Sequence, residues 1–415
     1  MTDEGGSADD RPSAEARALL ASIAGAYERG WQPADLLHLT RRDGESPPTL
    51  AAAVLLFEAR QTGAAQRAPT EWSDQLHAVA EQYPEQARLA DRLPVTDPSG
   101  GHLAGALTAG RSGFVGYQLA ELAAEWNRLP DWMILVPPPS QWPAAGVAPS
   151  SQWPTAGAAP SAQRPDDHGE PMATAAEPAA TADPKVLGRI RGLLAKAERT
   201  EFTEEAEAFT AKAQELMTRY AITAALPHSR THAGGTVVHS RRFHLENPYL
   251  KEKVHLLTAI GDANRVRTVL FSDLAIATAV GTPIDLAQVD LLFTSLLVQS
   301  ARSLQSAAAV GRSGSRTTGF RKAFLAGFAS RIGQRLHDAD ARATEAAAED
   351  ESIPLSDLLP VLATTSAAVD AEFTRLFPGT RKAKARSVDA RGWHAGQAAA
   401  DNASLTPGER AIRRK

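Results

Sequence analysis

The sequence has no cysteine, few aromatic residues and no long apolar run. The absence of cysteine excludes disulfide bonds, thiol nucleophiles and thiolate metal sites, and it is typical of proteins in a reducing compartment. The N-terminal residues are acidic and polar, without the basic and then apolar order of a secretory signal. No run approaches the ~20 apolar residues that cross a bilayer. We therefore expect a cytoplasmic location and no membrane contact.

Lysine is absent from the first 184 residues, and charge is divided unevenly along the chain. Residues 1–184 carry 12 arginines against 24 acidic residues, a net charge of -12. Residues 185–415 carry 32 basic residues against 24 acidic ones, a net charge of +8. Such asymmetry indicates that the two halves have different functions. A GC-rich genome also produces an excess of arginine over lysine, but it does not explain where the basic residues lie.

The length of 415 residues predicts two or three domains, and the periodicity of apolar residues predicts a mainly α fold. Glycine and proline clusters mark the expected boundaries. The predicted order is an acidic helical domain over 12–135, a disordered Pro/Ala/Ser linker over 137–184, a helical hairpin over 185–224, and a basic α+β domain over 236–400.

The predicted linker contains an 11-residue tandem repeat, SQWPAAGVAPS followed by SQWPTAGAAPS. Frequent proline disfavours helix and central strand, and the small residues offer little to bury, so disorder or an extended conformation is expected. Trp142 and Trp153 are unusual in such a tract. They are either docking residues for a partner or harmless products of a duplication.

Apolar stripes predict two antiparallel helices in the hairpin, with Leu187, Ile190 and Leu194 on one face of the first helix. Beyond the hairpin, segments rich in Val, Ile and Thr predict strands. The predicted strands are Thr236–Glu246, Arg265–Phe271 and Leu274–Val280, and the predicted long helices are Leu286 to about Ala308 and Gly319 to about Ala348.

The hairpin carries the motifs I-R-G-L-L-A-K-A-E and A-K-A-Q-E-L-M, and it resembles a bacterial and phage family named domain of unknown function 2786. The region Tyr249–Leu336 resembles the C-terminal companion domain of that family. The N-terminal helical domain is similar to the leading region of its large members. The resemblance implies no known activity, so no catalytic residue can be transferred to this chain.

Two stretches of the second half lack acidic residues, one between Asp290 and Asp338 and one between Glu372 and Asp389. Clustered cations attract polyphosphates and release their counterions, and the guanidinium group of arginine matches phosphate oxygens. The candidate anion-binding residues are Arg312, Arg316, Arg321, Lys322, Arg331 and Arg335 in the first stretch, and Arg381, Lys382, Lys384 and Arg386 in the second.

The helix that begins at Gly319 places arginines among aromatic residues. Helical spacing brings Arg331 and Arg335 into the arc of Phe320, Phe324, Phe328, Ile332 and Leu336. Either these arginines form an anion site edged by aromatic rings, or they reach solvent or pair internally with Asp285 or Asp290. A second basic strip, formed by Lys185, Arg189, Lys196 and Arg199, is either a contact for a nucleic-acid backbone or a solvated face.

Familiar catalytic motifs are absent: the sequence has no phosphate-binding P-loop, dinucleotide fingerprint or nucleophile elbow. His228 and His232 are four residues apart but lack the glutamate of a zinc protease motif. We assign no catalytic residue, cofactor or metal ligand. The leading hypothesis is a non-catalytic module that binds DNA, RNA or another polyanion, with a protein partner at the acidic domain or the linker tryptophans. The alternatives are a protein-interaction scaffold and a metal-assisted hydrolase.

Overall fold

The computed structural model describes residues 11–96, 100–108, 115–144, 184–199, 212–222, 236–310, 317–350, 355–380, 389–401 and 403. The chain divides into two compact units, an N-terminal unit of Met1–Ala173 and a C-terminal unit of Thr174–Lys415. The predicted fold class is confirmed, because the described residues form helices and one small antiparallel sheet.

The N-terminal unit is helical throughout its described part, apart from turns and a proline-rich segment. A short 3-10 helix, Pro139–Gln141, follows the last α-helix. The α-helices are α1 Arg11–Glu28, α2 Pro33–Asp43, α3 Pro48–Gln61, α4 Ala64–Arg67, α5 Thr70–Gln82, α6 Pro84–Arg92, α7 Gly101–Thr108 and α8 Val115–Asn127.

Proline sets several helix starts in this unit. Pro33 occupies the first turn of α2, and Asp35 accepts a hydrogen bond from the backbone N–H of Gln32 at 2.9 Å. Proline in the first turn and an acidic residue near the N-terminus are sequence signals of a helix start, and this reciprocal cap is what they indicate. The helical pattern from Trp72 to Leu93 is divided into two helices, because Pro84 cannot continue the first one and begins α6.

Aromatic side chains form the centre of the N-terminal unit. Tyr27, Trp31, Phe57, Trp72 and Trp126 are all almost fully buried. Burying a large apolar side chain contributes about 1.5–3 kcal/mol. These five large rings therefore contribute strongly to the stability of the first unit.

The structure differs from the predicted linker at its first residues. Val136 and Trp142 are buried against the N-terminal unit, and the rings of Trp72 and Trp142 meet edge to face with centroids 5.4 Å apart. Residues 137–144 therefore pack as part of the N-terminal unit, because the tryptophan ring finds an apolar site there. The rest of the predicted linker lies outside the described residues.

The C-terminal unit combines seven helices in its described part with a three-stranded sheet. The predicted strands are found at shorter or slightly shifted bounds, the two predicted long helices are slightly longer than expected, and α11 and α14 are additional helices. The elements are α9 Pro184–Arg199, α10 residues 212–222, β1 His239–His244, α11 Leu250–Ala263, β2 Arg267–Phe271, β3 Ile276–Gly281, α12 Pro283–Val310, α13 Thr318–Asp350, α14 Leu355–Leu376 and α15 Ala390–Asp401.

The sheet is antiparallel with the strand order β1-β3-β2. His239 pairs with Gly281 in β3, and Arg267 pairs with Val280 on the other side. Every residue of β3 is buried, whereas β1 and β2 are partly exposed at the edges. The small apolar residues of β3 therefore form the centre around which the helices pack.

The two hairpin helices belong to the same hydrophobic core as the sheet. Ile190 and Leu194 of α9 and Ala213 and Met217 of α10 are buried in a cluster that also contains residues of β3, α11, α12 and α13. In the predicted stripe of α9, Ile190 and Leu194 are buried, and Leu187 is partly buried against the same cluster. The hairpin is thus integrated into the C-terminal unit.

One helix of the described chain, over Pro283–Ala307, is long and apolar enough to cross a membrane. More than half of this α12 window is buried inside the C-terminal unit, and Val289, Leu292 and Leu296 are in its core. A central helix of a globular domain has the same length and composition, and α12 occupies such a position here.

Candidate anion-binding site

The structure describes four of the ten candidate anion-binding residues. Arg321, Lys322, Arg331 and Arg335 lie on α13. The other six candidates, Arg312, Arg316, Arg381, Lys382, Lys384 and Arg386, lie outside the described residues. The structure therefore brings four of the candidates onto one helix, and the convergence of the whole set stays a prediction.

Arg331 and Arg335 contact the C-terminal end of α15. Arg331 Nε donates to Asp401 Oδ1 at 2.5 Å, and its Nη1 donates to Gln334 Oε1 at 3.2 Å. Arg335 Nη1 donates to the carbonyl oxygens of Ala400, Asp401 and Ala403. The last carbonyls of a helix have no partner within the helix and carry its negative end, so a guanidinium group stabilises them.

These contacts identify the internal partner that the sequence left open. Asp285 and Asp290, the two partners considered for Arg331 and Arg335, pair with Arg265 and Arg241 instead. The actual partner, Asp401, lies some 70 residues along the chain from Arg331. No local spacing signals a pair of that separation.

The remaining two candidates differ in exposure. Lys322 is exposed, whereas Arg321 is half-buried and its Nε has no hydrogen-bond partner among the described residues. The predicted apolar arc of α13 is confirmed, since Phe320, Phe324, Phe328, Ile332 and Leu336 are all buried. The aromatic rings therefore belong to the core of the unit.

Glycines allow α13 and α15 to approach closely. A Cβ at Gly327 would overlap the carbonyl of Trp393, and a Cβ at Gly396 would overlap the carbonyl of Phe324. The segment Gly392–Gly396 lies within α15, against α13. Gly333 of α13 packs on Ala259 of α11.

The outer face of α9 is basic. Lys185, Arg189 and Lys196 are exposed, and at 100° per residue they fall within an arc of about 40°. We call these three residues the basic face of α9. Ile190 and Leu194 lie on the opposite side and are buried. Gly188 and Gly192 are also exposed, and among the described residues no neighbouring atom lies within 4 Å of where a Cβ would be. These two positions therefore leave the helix backbone without a side chain of its own to cover it.

A buried charge network, which the sequence did not predict, lies at the centre of the C-terminal unit. Arg265 Nη2 donates to Asp285 Oδ1 at 2.8 Å, and Arg265 Nη1 is 3.7 Å from Asp340 Oδ1. Thr218 Oγ1 of α10 donates to the same Asp340 oxygen at 3.0 Å. Burial raises the pKa of Asp340, and the nearby Arg265 opposes that rise. Arg265 thus links α10, α12 and α13.

Arg265 has a backbone conformation that favours glycine. Its φ is 58°, and the N–H of Val266 donates to the carbonyl of Gly261 at 2.9 Å, which closes the end of α11. A left-handed conformation costs an L-residue about 1–2 kcal/mol. The pairing of its side chain with Asp285 and Asp340 offsets this cost.

Thr218 of this network belongs to the hairpin, and the sequence of the hairpin is recognisable. Residues 185–224 match the family described as Protein of unknown function (DUF2786). The match confirms the resemblance of the hairpin and does not extend to the predicted companion domain. No curated protein and no solved structure matches this chain.

Amide side chains connect the DUF2786 hairpin to the rest of the unit. Gln214 Nε2 donates to Asn264 Oδ1 at 3.3 Å, and Gln288 Nε2 of α12 donates to the carbonyl of Met217 at 3.0 Å. All three amides are buried. Because buried amides need specific partners, these bonds fix the position of α10 on α11 and α12.

Asp262, Asp285 and Asp290 each lie against a different arginine. Asp285 caps the start of α12 together with Thr282 and also accepts a hydrogen bond from Arg265. Asp290 pairs with Arg241, and Asp262 lies near Arg267. Within the described ranges, no three His, Asp or Glu side chains are placed to hold a metal ion. His228 and His232 lie outside these ranges.

Proposed function

We propose that this chain is a non-catalytic, cytoplasmic binding protein whose C-terminal unit contacts the phosphate backbone of DNA or RNA. The observation that carries the proposal is the basic face of α9, which presents Lys185, Arg189 and Lys196 to solvent. Electrostatic attraction of this kind is independent of base sequence and supplies most of non-specific nucleic-acid affinity.

The shape of α9 favours a backbone contact. The three cations extend over about 16 Å of the helix, at 1.5 Å per residue. Exposed Gly188 and Gly192 leave room between them for phosphate oxygens to approach the helix. The opposite face is fixed by burial of Ile190 and Leu194, so the helix presents a rigid cationic surface.

The cations of α13 have different roles in this proposal. Lys322 is exposed and adds a further cation to the C-terminal unit. The other six candidates lie outside the described residues, and we include them in the proposal on their charge alone. Arg331 and Arg335 are held by α15 and contribute charge without direct contact. The acidic charge of the N-terminal unit disfavours contact with phosphate. We therefore propose that this unit binds a protein partner.

A protein-interaction scaffold is the second candidate function. The N-terminal unit already holds a proline-rich segment of its own chain, in which Trp142 packs against Trp72. A surface that accommodates such a segment is suited to binding peptides of similar composition.

The test is a salt series of binding measurements with random-sequence DNA and RNA. We expect the full chain to bind at about 50 mM salt and to weaken steeply by about 200 mM. Replacement of Lys185, Arg189 and Lys196 with Gln is expected to reduce the slope of log affinity against log salt by up to about 3, since each lost phosphate contact removes about 0.9. Fluorescence anisotropy measures both quantities.

The matched control replaces three exposed arginines of the N-terminal unit, Arg17, Arg88 and Arg92, with Gln. It removes the same charge, so its slope should remain that of the unaltered chain. Absence of binding at low salt, or equal slopes for the two triple variants, would contradict the proposal. Binding only to a protein ligand would favour the scaffold.

A further inference from the structure

The segment that follows α8 lies in a groove of the N-terminal unit. Val136, Pro138 and Trp142 are the buried residues of this segment. The indole of Trp142 meets Trp72 edge to face, and the guanidinium carbon of Arg67 lies 5.9 Å from its ring centroid. The groove therefore holds the segment through three apolar side chains at fixed spacing.

Polar contacts complete the docking. Ser140 Oγ donates to Glu28 Oε2 at 2.8 Å, and Arg67 Nε donates to the carbonyl of Pro143 at 2.7 Å. Within the segment, Trp142 Nε1 donates to the carbonyl of Pro137 at 2.9 Å. This last bond needs only a backbone carbonyl five residues before the tryptophan.

The side chains that make these contacts recur eleven residues later. Val147, Pro149, Ser151, Trp153 and Pro154 occupy the positions of Val136, Pro138, Ser140, Trp142 and Pro143. The eight-residue segments VPPPSQWP and VAPSSQWP differ at two positions only, where Ala148 replaces Pro137 and Ser150 replaces Pro139. Pro137 and Pro139 serve as acceptors through backbone carbonyls, which any residue supplies.

We propose that the groove is a recognition site for the V-x-P-x-S-Q-W-P segment, and that residues 147–154 of the same chain are its second ligand. Either copy can fill the groove with the same contacts. The chain thus carries an alternative docking register, in which the second copy replaces the first. This inference concerns the N-terminal unit and is independent of nucleic-acid binding.

The first copy has the advantage of position. The chain is anchored just before the groove, where the N–H of Trp132 donates to the carbonyl of Arg29 at 2.7 Å and its ring packs on Trp31. Docking the second copy leaves residues 136–146 as a loop between this anchor and the groove. Closing a loop of about eleven residues disfavours that register by roughly 30-fold. The second copy therefore takes over when the first is weakened.

The absence of cysteine allows a direct test by spin labelling at introduced cysteines. One label replaces exposed Arg88 of α6, and the second replaces either Ala144 or Thr155, which follow the two S-Q-W-P motifs at the same position. Pulsed dipolar spectroscopy then measures the distance from Arg88 to each copy. In the background of Trp142→Ala, the 88–155 distance is expected to match the 88–144 distance of the chain with Trp142 intact.

The control is the Trp142→Ala, Trp153→Ala double variant, in which the 88–155 distance should no longer match. An 88–155 distance that Trp142→Ala leaves unchanged would overturn the proposal. Unfolding of the single variant would overturn it equally, because a second ligand should preserve the docked state. Dipolar coupling between separately labelled chains in a mixture would place the second copy in the groove of another molecule and would overturn the intrachain register.

Discussion

The N-terminal unit packs short helices around large rings, whereas the C-terminal unit packs long helices through small residues. Trp31, Trp72 and Trp126 are each 1% exposed in the first unit. In the second, Gly327 and Gly396 bring α13 and α15 into backbone contact. Large rings fill the spaces between the helices of the first unit. In the second unit, glycine allows the short helix α15 to lie in close contact along the long helix α13.

The two units also handle buried charge differently. Glu58 of α3 is buried, and burial raises its pKa to about 8, so it is accommodated as a neutral acid. In the C-terminal unit, Asp285 and Asp340 share the guanidinium of Arg265. A buried carboxyl group is tolerated either by protonation or by pairing with a cation. Each unit uses one of these solutions.

Both units contain an arginine that caps the C-terminal end of a neighbouring helix. Arg60 of α3 donates to the carbonyl oxygens of Ala90 and Leu93 at the end of α6, as Arg335 does at the end of α15. An arginine on a core helix therefore closes the C-terminus of a neighbouring helix in each unit. Such arginines are structural even where they lie in a basic part of the sequence.

The largest expected effect is at the charge pairing of the C-terminal unit. Replacement of Arg265 with Ala leaves Asp285 and Asp340 without their cation and should lower the free energy of unfolding by about 3–5 kcal/mol. Replacement with Gly should cost about 1–2 kcal/mol less, because glycine accepts the positive φ. Urea unfolding followed by far-ultraviolet circular dichroism measures both values. Replacement of Arg241 with Ala is the control, since its pair with Asp290 is exposed and should contribute below about 1 kcal/mol. Equal losses for Arg265 and Arg241 would contradict the role of the network.

The next effect tests the neutral carboxyl group of the N-terminal unit. The folded pKa of Glu58, about 8, lies above the ordinary value of 4.5, so its stabilising contribution is full below the ordinary value and is lost as pH rises through the folded value. Between these limits the free energy of unfolding should fall by about 4 kcal/mol, at 1.36 kcal/mol per unit. Replacement of Glu58 with Gln should remove that dependence.

Tryptophan emission during urea unfolding measures this change, because Trp31, Trp72, Trp126, Trp132 and Trp142 all lie in the N-terminal unit. The control is Glu81→Gln at an exposed position, which should keep the pH dependence of the unaltered chain. A pH dependence that survives Glu58→Gln would show that another group controls the stability of this unit.

The smallest effect distinguishes the two aspartates of the network. Burial raises the pKa of Asp340, so its ionised form disfavours folding as pH rises through that value. Replacement with Asn keeps the acceptor for Thr218 and should stabilise the C-terminal unit slightly at neutral pH, by about 1 kcal/mol or less. At a pH below the ordinary range of a carboxyl group, where the raised pKa keeps Asp340 protonated, the variant and the unaltered chain should be equally stable. Thermal unfolding at both pH values measures the difference, and marked destabilisation at neutral pH would contradict it.

Local patterns in the sequence predicted the local parts of the fold. The cap of α2 at Asp35 and the apolar arc of α13 from Phe320 to Leu336 follow from spacing within one helix. Strands β2 and β3 follow from their Val, Ile and Thr content, and the exposed basic face of α9 follows from helical periodicity. These features need only neighbouring residues, so sequence reasoning reaches them.

Pairings between residues far apart in the chain could not be predicted from such local patterns. Arg265 meets Asp340 across 75 residues, and Arg331 meets Asp401 across 70. Trp142 lies in a proline-rich tract typical of a linker, yet it is buried because Trp72 and Arg67 provide a site for it. In each case the partner is distant in the chain, and the residue type alone does not identify it.

The close packing of α13 and α15 affects how the protein is synthesised. α15 begins at Ala390, 40 residues after α13 ends at Asp350, so the surface of α13 that it covers leaves the ribosome first. At about 5–20 residues per second, that surface waits roughly 2–8 s for its neighbour. During this interval the nascent chain exposes the surface of α13 that α15 later covers. Surface exposed in this way is bound by chaperones during synthesis.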